Sequence, residues 1–468
     1  MKKMLTFAVY AAVLAGCCGT AISKNADTVK CYPAEIDEGF VSIFNGTNTA
    51  GWVANPAYVV KEPGVLEMDP AIGGGNLYTE KDYEDFILRF EFCLPKNANN
   101  GLGIRCTRGK DAAYHGMELQ ILDDGGDKYF DKKENKEKLA PYQYHGSIYG
   151  IVPALRNAGG KAMKGTAGNG SYLKPCGQWN FQEVRVIGTK VQVMLNGIMI
   201  IDADISQWKG NGDTPDKRQH PGLHNPKGPI AWCGHGANVK WRNIRVKEVS
   251  KNYKFADCVA PRPEGFVQLF DGKSFTNWKG VTTKNGFDNP CKRQAASAEQ
   301  RAEMQKIADE QMKAHWHFRD GGALFFDGFH GGYSLATAKD YKDFEMWVDW
   351  RLLSIRGDSG LYLRGSPQVQ IWDAHNQWHV GSGGLYNNQK NPRRALCIAD
   401  KQVGEWNRFY IKMVGEKVTV KLNGQLVVDN VTLENYWNRK EPIFPIAQIE
   451  LQCHGDPLEF RNIFIKEL

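Results

Sequence analysis

The chain has no CxxC pair and no His/Cys cluster at zinc spacing, so its 11 cysteines carry no structural-metal signature. They lie at 17, 18, 31, 93, 106, 176, 233, 258, 291, 397 and 453. Few are matched between the two halves described below, so disulfides are not the organising element, and any connectivity is not readable from spacing. There is no G-x-S-x-G elbow, no P-loop and no dinucleotide fingerprint, so no nucleotide cofactor is expected. No dedicated calcium-ligand loop is recognisable, which leaves a bound Ca²⁺ in either half open. Lys and Arg are scattered without a basic stripe at a formal charge of +7, which removes nucleic acid as a partner. Beyond the N-terminus no run is apolar enough to span a bilayer, which takes about 20 residues.

Aromatic residues are plentiful at 11%, with 13 Trp, and there are 50 Gly. With a negative mean hydropathy and many short alternating segments, this predicts a soluble β protein with a sugar-sized ligand surface. At the front, Lys2 and Lys3 precede an apolar run from Met4 to Leu14 that is too short to span a membrane. It ends in Leu14-Ala15-Gly16-Cys17, which resembles a bacterial lipobox. The expectation is removal of residues 1–16 and lipidation of Cys17; an ordinary signal peptide is the plainer alternative. Acyl chains would tether the protein to a membrane in the bacterial cell envelope, periplasmic or outer-membrane, without spanning it.

After a tether over 17–36, the chain says nearly the same thing twice. Gly39-Phe40-Val41-Ser42-Ile43-Phe44-Asn45-Gly46 returns as Gly265-Phe266-Val267-Gln268-Leu269-Phe270-Asp271-Gly272. Tyr83-Glu84-Asp85-Phe86 returns as Tyr341-Lys342-Asp343-Phe344, and Leu195-Asn196-Gly197 as Leu422-Asn423-Gly424. The order is kept at a period of roughly 225 residues, far above the ~20–50 of a solenoid, so this is a domain duplication. The repeats are placed at 37–250 and 264–468, with a Pro-containing linker over 251–263.

Each repeat reads as strands. Val184, Val186, Val191, Val193 and Leu195 alternate with other positions, and Asn196-Gly197 supplies the positive-φ pair of a tight hairpin. Short strands with frequent turn signals predict a sandwich or jelly roll. Two insertions break the symmetry. One, Gly125 to Gly170, is charged and Gly-rich and reads as a loop over one end of the sandwich. The other, over about 291–315, is helix-prone, with Met304, Ile307, Ala308, Gln311 and Met312 on one face. It is either a surface decoration or a lid or docking element between the domains.

The most useful difference lies in one strand. Leu119 and Ile121 point to the core, so Glu118 and Gln120 share the opposite face. The second repeat has Gln368, Gln370 and Trp372 outward, with Val369 and Ile371 inward. Glu118 thus corresponds to Gln368, and an amide binds a hydroxyl but takes no proton as a general base. Arg105 and Arg364 face away from their apolar neighbours. Each is positioned either to hold Asp123 or Asp373 or to stabilise an oxyanion. His145 aligns with Ser382, while Tyr149 is shared with Tyr386 and is a proton donor, a sugar platform or a structural tyrosine. His235 and His454 are matched before a closing strand, which suits a fold-satisfying hydrogen bond as well as a catalytic role.

These residues carry a family resemblance. Each repeat resembles the 3-keto-disaccharide hydrolase domain. In the first repeat the matching positions are Phe44-Asn45-Gly46, Glu118-Gln120-Asp123, Ser147-Ile148-Tyr149-Gly150, Trp179-Asn180 and His235-Gly236. The second matches at Leu451-Gln452-Cys453-His454-Gly455 but carries Gln368 for the Glu and Asn387 for a Gly; the first has Trp232-Cys233 for the closing Leu-Gln. The resemblance implies an all-β fold of two tandem concanavalin/laminin-G-like jelly-roll sandwiches. It implies cleavage of glycosides first oxidised at C3, by C2 proton abstraction, β-elimination and hydration. On that reading Glu118 is the base, Arg105 the oxyanion stabiliser, and Tyr149 or His235 the donor. Gln120, Asp123 and His145 would bind substrate in the first repeat. Tyr362, Arg364, Gln368, Gln370, Trp372 and His454 would do so in a binding or degenerate second repeat. A partner oxidoreductase would supply the 3-keto-sugar. The competing readings are a lectin-like lipoprotein and a conventional glycosidase using Glu118 with Asp123 or Asp124, whose carboxyls would have to lie about 5–9.5 Å apart.

Overall fold

The computed structural model of the chain describes residues 38–131, 133, 136–156, 172–253, 262–319, 321–331 and 333–468. The expected leader, Cys17 and the tether lie outside the described residues, as do most of the linker and part of the 125–170 excursion.

In the first repeat a large antiparallel sheet runs in the order Ile198–Asp204, Lys190–Leu195, Trp179–Ile187, Phe86–Cys93, Lys240–Glu248, Val65–Met68, Tyr58–Glu62, with Val41–Ser42 added on Lys240–Glu248. A small sheet faces it: Gly75–Tyr83, Gly228–Gly234, Asn99–Ile104, Met117–Leu122. The second repeat copies this arrangement. Its large sheet is centred on Leu458–Glu467, Phe344–Leu352 and Asn407–Val414. Its small sheet runs Trp278–Thr282, Tyr333–Thr337, Glu450–Leu451, Asp358–Leu363, Ser366–Trp372. These are the two tandem jelly-roll sandwiches the sequence predicts.

Alternation along the strands fills the space between the sheets. Met117, Leu119 and Ile121 meet Phe90, Phe92 and Val184, all fully buried. Trp232, which stands where the second repeat has Leu451, lies at the centre of this core. It stacks on Trp241 at 4.9 Å and meets Phe90 edge-on at 5.0 Å. The hairpins turn as expected, with φ of 47° and 88° at Asn196-Gly197 and 51° and 88° at Asn423-Gly424.

The large sheets meet through their outer surfaces, and the interface is polar. Glu38 accepts from Arg89 of its own repeat and from Arg461 of the other, and Arg245 pairs with Glu405. Lys174 Nζ donates to Gln402 Oε1 at 2.9 Å, and burial pulls its ammonium down to about 8. The Asn196-Gly197 tip seats against the second repeat, where a Cβ on Gly197 would come 2.9 Å from Leu353 Cα. Because the large sheets are back to back, the outer faces of the small sheets point away from each other. Each repeat must therefore build its own site.

The insertion of the second repeat folds as helices Pro290–Ala295 and Ala298–His315. Ser297 and Gln300 form a capping box, and Met304, Ala308 and Met312 are buried. The longer helix lies on strand Trp278–Thr282, where Gln305 donates to Gly280 O at 2.9 Å. It covers its own repeat and does not dock between the two.

Candidate functional site

The site face is the outer surface of the small sheet in the first repeat. Strand Met117–Leu122 pairs with Asn99–Ile104 so that Gly103 is opposite Glu118 and Gly101 opposite Gln120. Gly103 in turn is opposite Ala231, and Gly101 opposite Cys233. These small residues make a low floor, on which Cys106 and Ala112 of the following loop pack against Ala231 and Cys233. Glu118 lies over that floor: a Cβ on Gly101 would fall 1.8 Å from its Oε1.

His235, just past strand Gly228–Gly234, reaches Glu118 with Nε2 3.1 Å from Oε1. Its side chain is 46% exposed, while that of Glu118 is only 5% exposed. The hydrogen bond to the Glu118 carboxylate raises the His235 pKa above its ordinary value of 6.5, against the opposing effect of burial. Tyr149 completes the group. Its N–H donates to Glu118 O at 2.8 Å, and Ile148 bridges Leu119, so the Gly146-to-Tyr149 segment adds an irregular strand to the sheet edge. Ile148 faces the core with Leu119, which leaves Tyr149 beside Glu118 on the outer face. Gln120 shares this face, and its carboxamide makes no hydrogen bond among the described residues.

Two loops that the sequence reading passed over frame the face. Residues 105–116 join the paired strands in the first repeat, where the second has only Arg364 and Gly365. This loop is locked to the 208–227 loop. His220 Nδ1 lies 3.0 Å from Ala113 O and its Nε2 3.1 Å from the Asp216 carboxylate. Gly222 N donates to Tyr114 O at 2.9 Å. Gly150 has to be glycine here, since φ is +77° and a Cβ would come 2.3 Å from Asp216 Oδ2. The result brings Tyr114 edge-on to Tyr149 at 6.5 Å, with Arg218 Nη1 on the Tyr114 hydroxyl at 2.5 Å. Asp111 adds its charge near His235. The length difference between the repeats was the one sequence signal for these residues.

Several expected site residues lie elsewhere. Arg105 does not reach Glu118. It sits at φ 48°, past the strand end, and its side chain turns to the end of the sandwich. There its guanidinium donates to Glu84 O, Gly188 O and Asp85 Oδ1, each at 2.8 Å. Arg364 makes the same clamp, donating to Lys342 O and Asp343 Oδ1. The shared Tyr-x-Asp-Phe motif therefore supplies the clamp's carboxylate, and neither arginine holds Asp123 or Asp373 or faces a substrate. Arg105→Ala is expected to lower stability by about 3–5 kcal/mol, because it strands the buried Asp85 carboxylate. Turnover per folded molecule should be unchanged. Thermal melts read beside kcat test this.

His145 is likewise a core residue, not a substrate ligand. Its Nδ1 accepts from Leu122 N at 3.2 Å, so Nε2 donates to Gln182 Oε1 at 3.1 Å, and its ring stacks on Phe92 at 5.1 Å. Burial pushes its pKa down to about 4, which keeps it neutral. Ser382 does the same duty in the second repeat, accepting from Trp372 N at 3.1 Å. Asp123 Oδ2 accepts from Asn97 N at 2.7 Å and anchors a turn. At ~3.3 Å per residue it stands about 16 Å along the chain from Glu118, beyond the spacing a two-carboxylate glycosidase needs. Asp124 is buried and accepts from His145 N.

In the second repeat the equivalent face is filled. Tyr362 pairs with Glu450 where the first repeat has Gly103 and Ala231. Tyr362 is desolvated, which raises its pKa, and it accepts from Gln452 Nε2 at 3.3 Å. Gln368 donates to Gln370, and Gln370 donates to Asp358 Oδ1 at 2.6 Å. His454 is exposed and makes no hydrogen bond to Gln368 among the described residues. Gln370 and Trp372 line a cavity of ≈ 210 Å³ at the sheet edge. Larger cavities, ≈ 440 Å³ between the repeats and ≈ 430 Å³ beneath the helical insertion, include neither Glu118 nor His235. Among the described residues no three His, Cys, Asp or Glu side chains converge as metal ligands.

The family model described as 3-keto-alpha-glucoside-1,2-lyase-like domain matches residues 39–247 and, again, 265–466. No curated protein matches the chain. Among solved structures, a candidate glycosyl hydrolase from Parabacteroides distasonis ATCC 8503 is 26% identical at a TM-score of 0.36, over 45% of this chain and 99% of that one. A second from the same organism is 21% identical at 0.38, over 46% and 96%. The carbohydrate binding module CBM66 from Bacillus subtilis is 11% identical at 0.26, over 44% and 98%.

Proposed function

The chain belongs to the 3-keto-alpha-glucoside-1,2-lyase-like domain family, in two tandem copies, and on that premise of a carbohydrate-related function we propose that its first repeat cleaves glycosides already oxidised at C3. The supporting observation is the Glu118–His235 pair beside Tyr149, on a face whose second copy has Gln368 in place of the carboxylate. A ketone at C3 acidifies the C2 proton. Glu118 removes that proton, and the electron pair passes into the ketone as an enolate, whose oxygen accepts a hydrogen bond from Tyr149. When the C3 carbonyl re-forms, the C1–O bond breaks and C1=C2 is left. His235 gives a proton to the departing oxygen and is recharged by Glu118 across their 3.1 Å contact. Glu118, ionised again, then takes a proton from water as the water oxygen adds to C1 and delivers that proton to C2, which completes a net hydrolysis.

The second repeat, with an amide at the base position and a filled face, serves as a binding module. The Leu14-to-Cys17 leader supports a lipid-anchored envelope protein, and the substrate's ketone calls for a partner oxidoreductase acting first.

NMR of the mature protein with a 3-keto-glucoside and the plain glucoside in D₂O tests the proposal. Cleavage of the keto substrate alone, with deuterium at C2, is expected. Cleavage of both without C2 exchange would mean an ordinary glycosidase, and binding without turnover a lectin.

The raised His235 pKa sets a pH dependence. The protonated imidazole is the acid, so activity should fall as pH rises through that pKa, above 6.5. The stability contributed by its pairing with Glu118 follows the same sign: present below the ordinary value and lost through the raised one. His235→Gln should lower kcat and remove this alkaline limb, which a pH–rate profile checks.

A further inference from the structure

We propose that the second repeat carries an aromatic–arginine pocket that binds a carboxylated sugar ring, a hexuronate residue of a glycan. This deepens the reading of that repeat as a binding module and does not depend on the elimination chemistry of the first.

The pocket is the ≈ 210 Å³ cavity between strand Ser366–Trp372 and the 380–395 loop. Trp372 is its fixed inner wall: only 7% exposed, with Nε1 donating to Val380 O at 2.6 Å. Trp378 stacks on it at 5.2 Å and 19° yet is 37% exposed. Tyr386 stands at right angles, 5.3 Å from Trp372 and 44% exposed. The turn that presents Trp378 is itself pinned, since the Asp373 carboxylate accepts from His375 N and from Asn376 Nδ2 at 2.8 Å. This is a pre-built corner of two exposed rings backed by a buried one. A sugar ring stacks its C–H face on such a platform, and the exposed apolar surface calls for a ligand.

Arg393 and Arg394 give the charge preference. Both line the cavity and are exposed, and neither guanidinium makes an ion pair or hydrogen bond among the described residues. By contrast Arg351, Arg364, Arg408 and Arg461 of the same repeat all pair with carboxylates. Two unpaired guanidinium forks beside an aromatic platform match a carboxylate on a pyranose, which they can hold bidentately. The device belongs to the second repeat, since Leu122 takes the place of Trp372 in the first.

The test is a titration of the full mature chain with methyl glucuronide, methyl glucoside and sulfate, followed by tryptophan fluorescence. Glucuronide should bind at least about tenfold more tightly than glucoside, as a charge-assisted pair requires. Arg393→Gln with Arg394→Gln should erase that difference, and Trp378→Ala should weaken both sugars. Equal affinity for the two sugars, or no effect of the double arginine variant, would overturn the inference. So would sulfate competing as strongly as glucuronide, which would mark an anion patch without sugar selectivity. Glu118→Gln separates the two readings. It should leave glucuronide binding intact; loss of binding there would assign the signal to the first repeat and refute the pocket. In the parental chain, glucuronide binding with no turnover of any keto-glycoside would refute only the proposed catalysis.

Discussion

Glu118→Gln is expected to lower kcat on a 3-keto-glucoside by about 10²–10⁴-fold, the usual worth of a positioned general base. Folding and ground-state binding should be retained. The second repeat already contains this substitution in the same fold. Gln368 occupies the equivalent place, 5% exposed against 4% for Glu118, above Gly360 as Glu118 is above Gly101. The amide keeps an oxygen that accepts from His235, so the local geometry is preserved and only the ability to take a proton is lost. Deuterium exchange at C2 should disappear with turnover, and saturation binding of the keto substrate should persist. Turnover at the parental rate would remove Glu118 from the mechanism.

The outlines of this site were legible where local rules govern. Strand alternation put Glu118 and Gln120 on one face, and the duplicated motif exposed the Glu118-to-Gln368 change. The helix-prone insertion and the Asn-Gly hairpins also folded as their patterns dictate. Arg105 misled because alternation was carried one residue past the strand. At φ 48° the backbone leaves the pleat, and the side chain no longer belongs to the sheet face. His145 misled because it sits in a connecting segment, which is usually exposed. Here that segment pairs with the sheet edge and turns its imidazole into the core. Tyr114 and Arg218 lie about a hundred positions apart, and only the contact of two loops, held by His220 and Gly222, brings them together.

The second large effect is expected from a residue with no side chain. In Gly101→Ala the new methyl would fall 1.8 Å from Glu118 Oε1 and 2.5 Å from Cδ, so the carboxylate must swing aside. The nearest atoms all belong to that one side chain, so the strand itself can stay in register and the protein should fold. Misplacing the base by an ångström or more should cost about 10²-fold in kcat. A second signature is independent of turnover. With its bond to Glu118 broken, His235 should titrate closer to its ordinary 6.5, which NMR of the ring protons reads directly. Gly360→Ala is the matched control. It crowds the Gln368 carboxamide, 3.1 Å from the new Cβ, in a repeat that carries no base, and should leave turnover unchanged. If Gly101→Ala lowers kcat while His235 keeps its raised pKa, the carboxylate has not moved. The loss would then belong to the packing of the small-residue floor and not to the base above it.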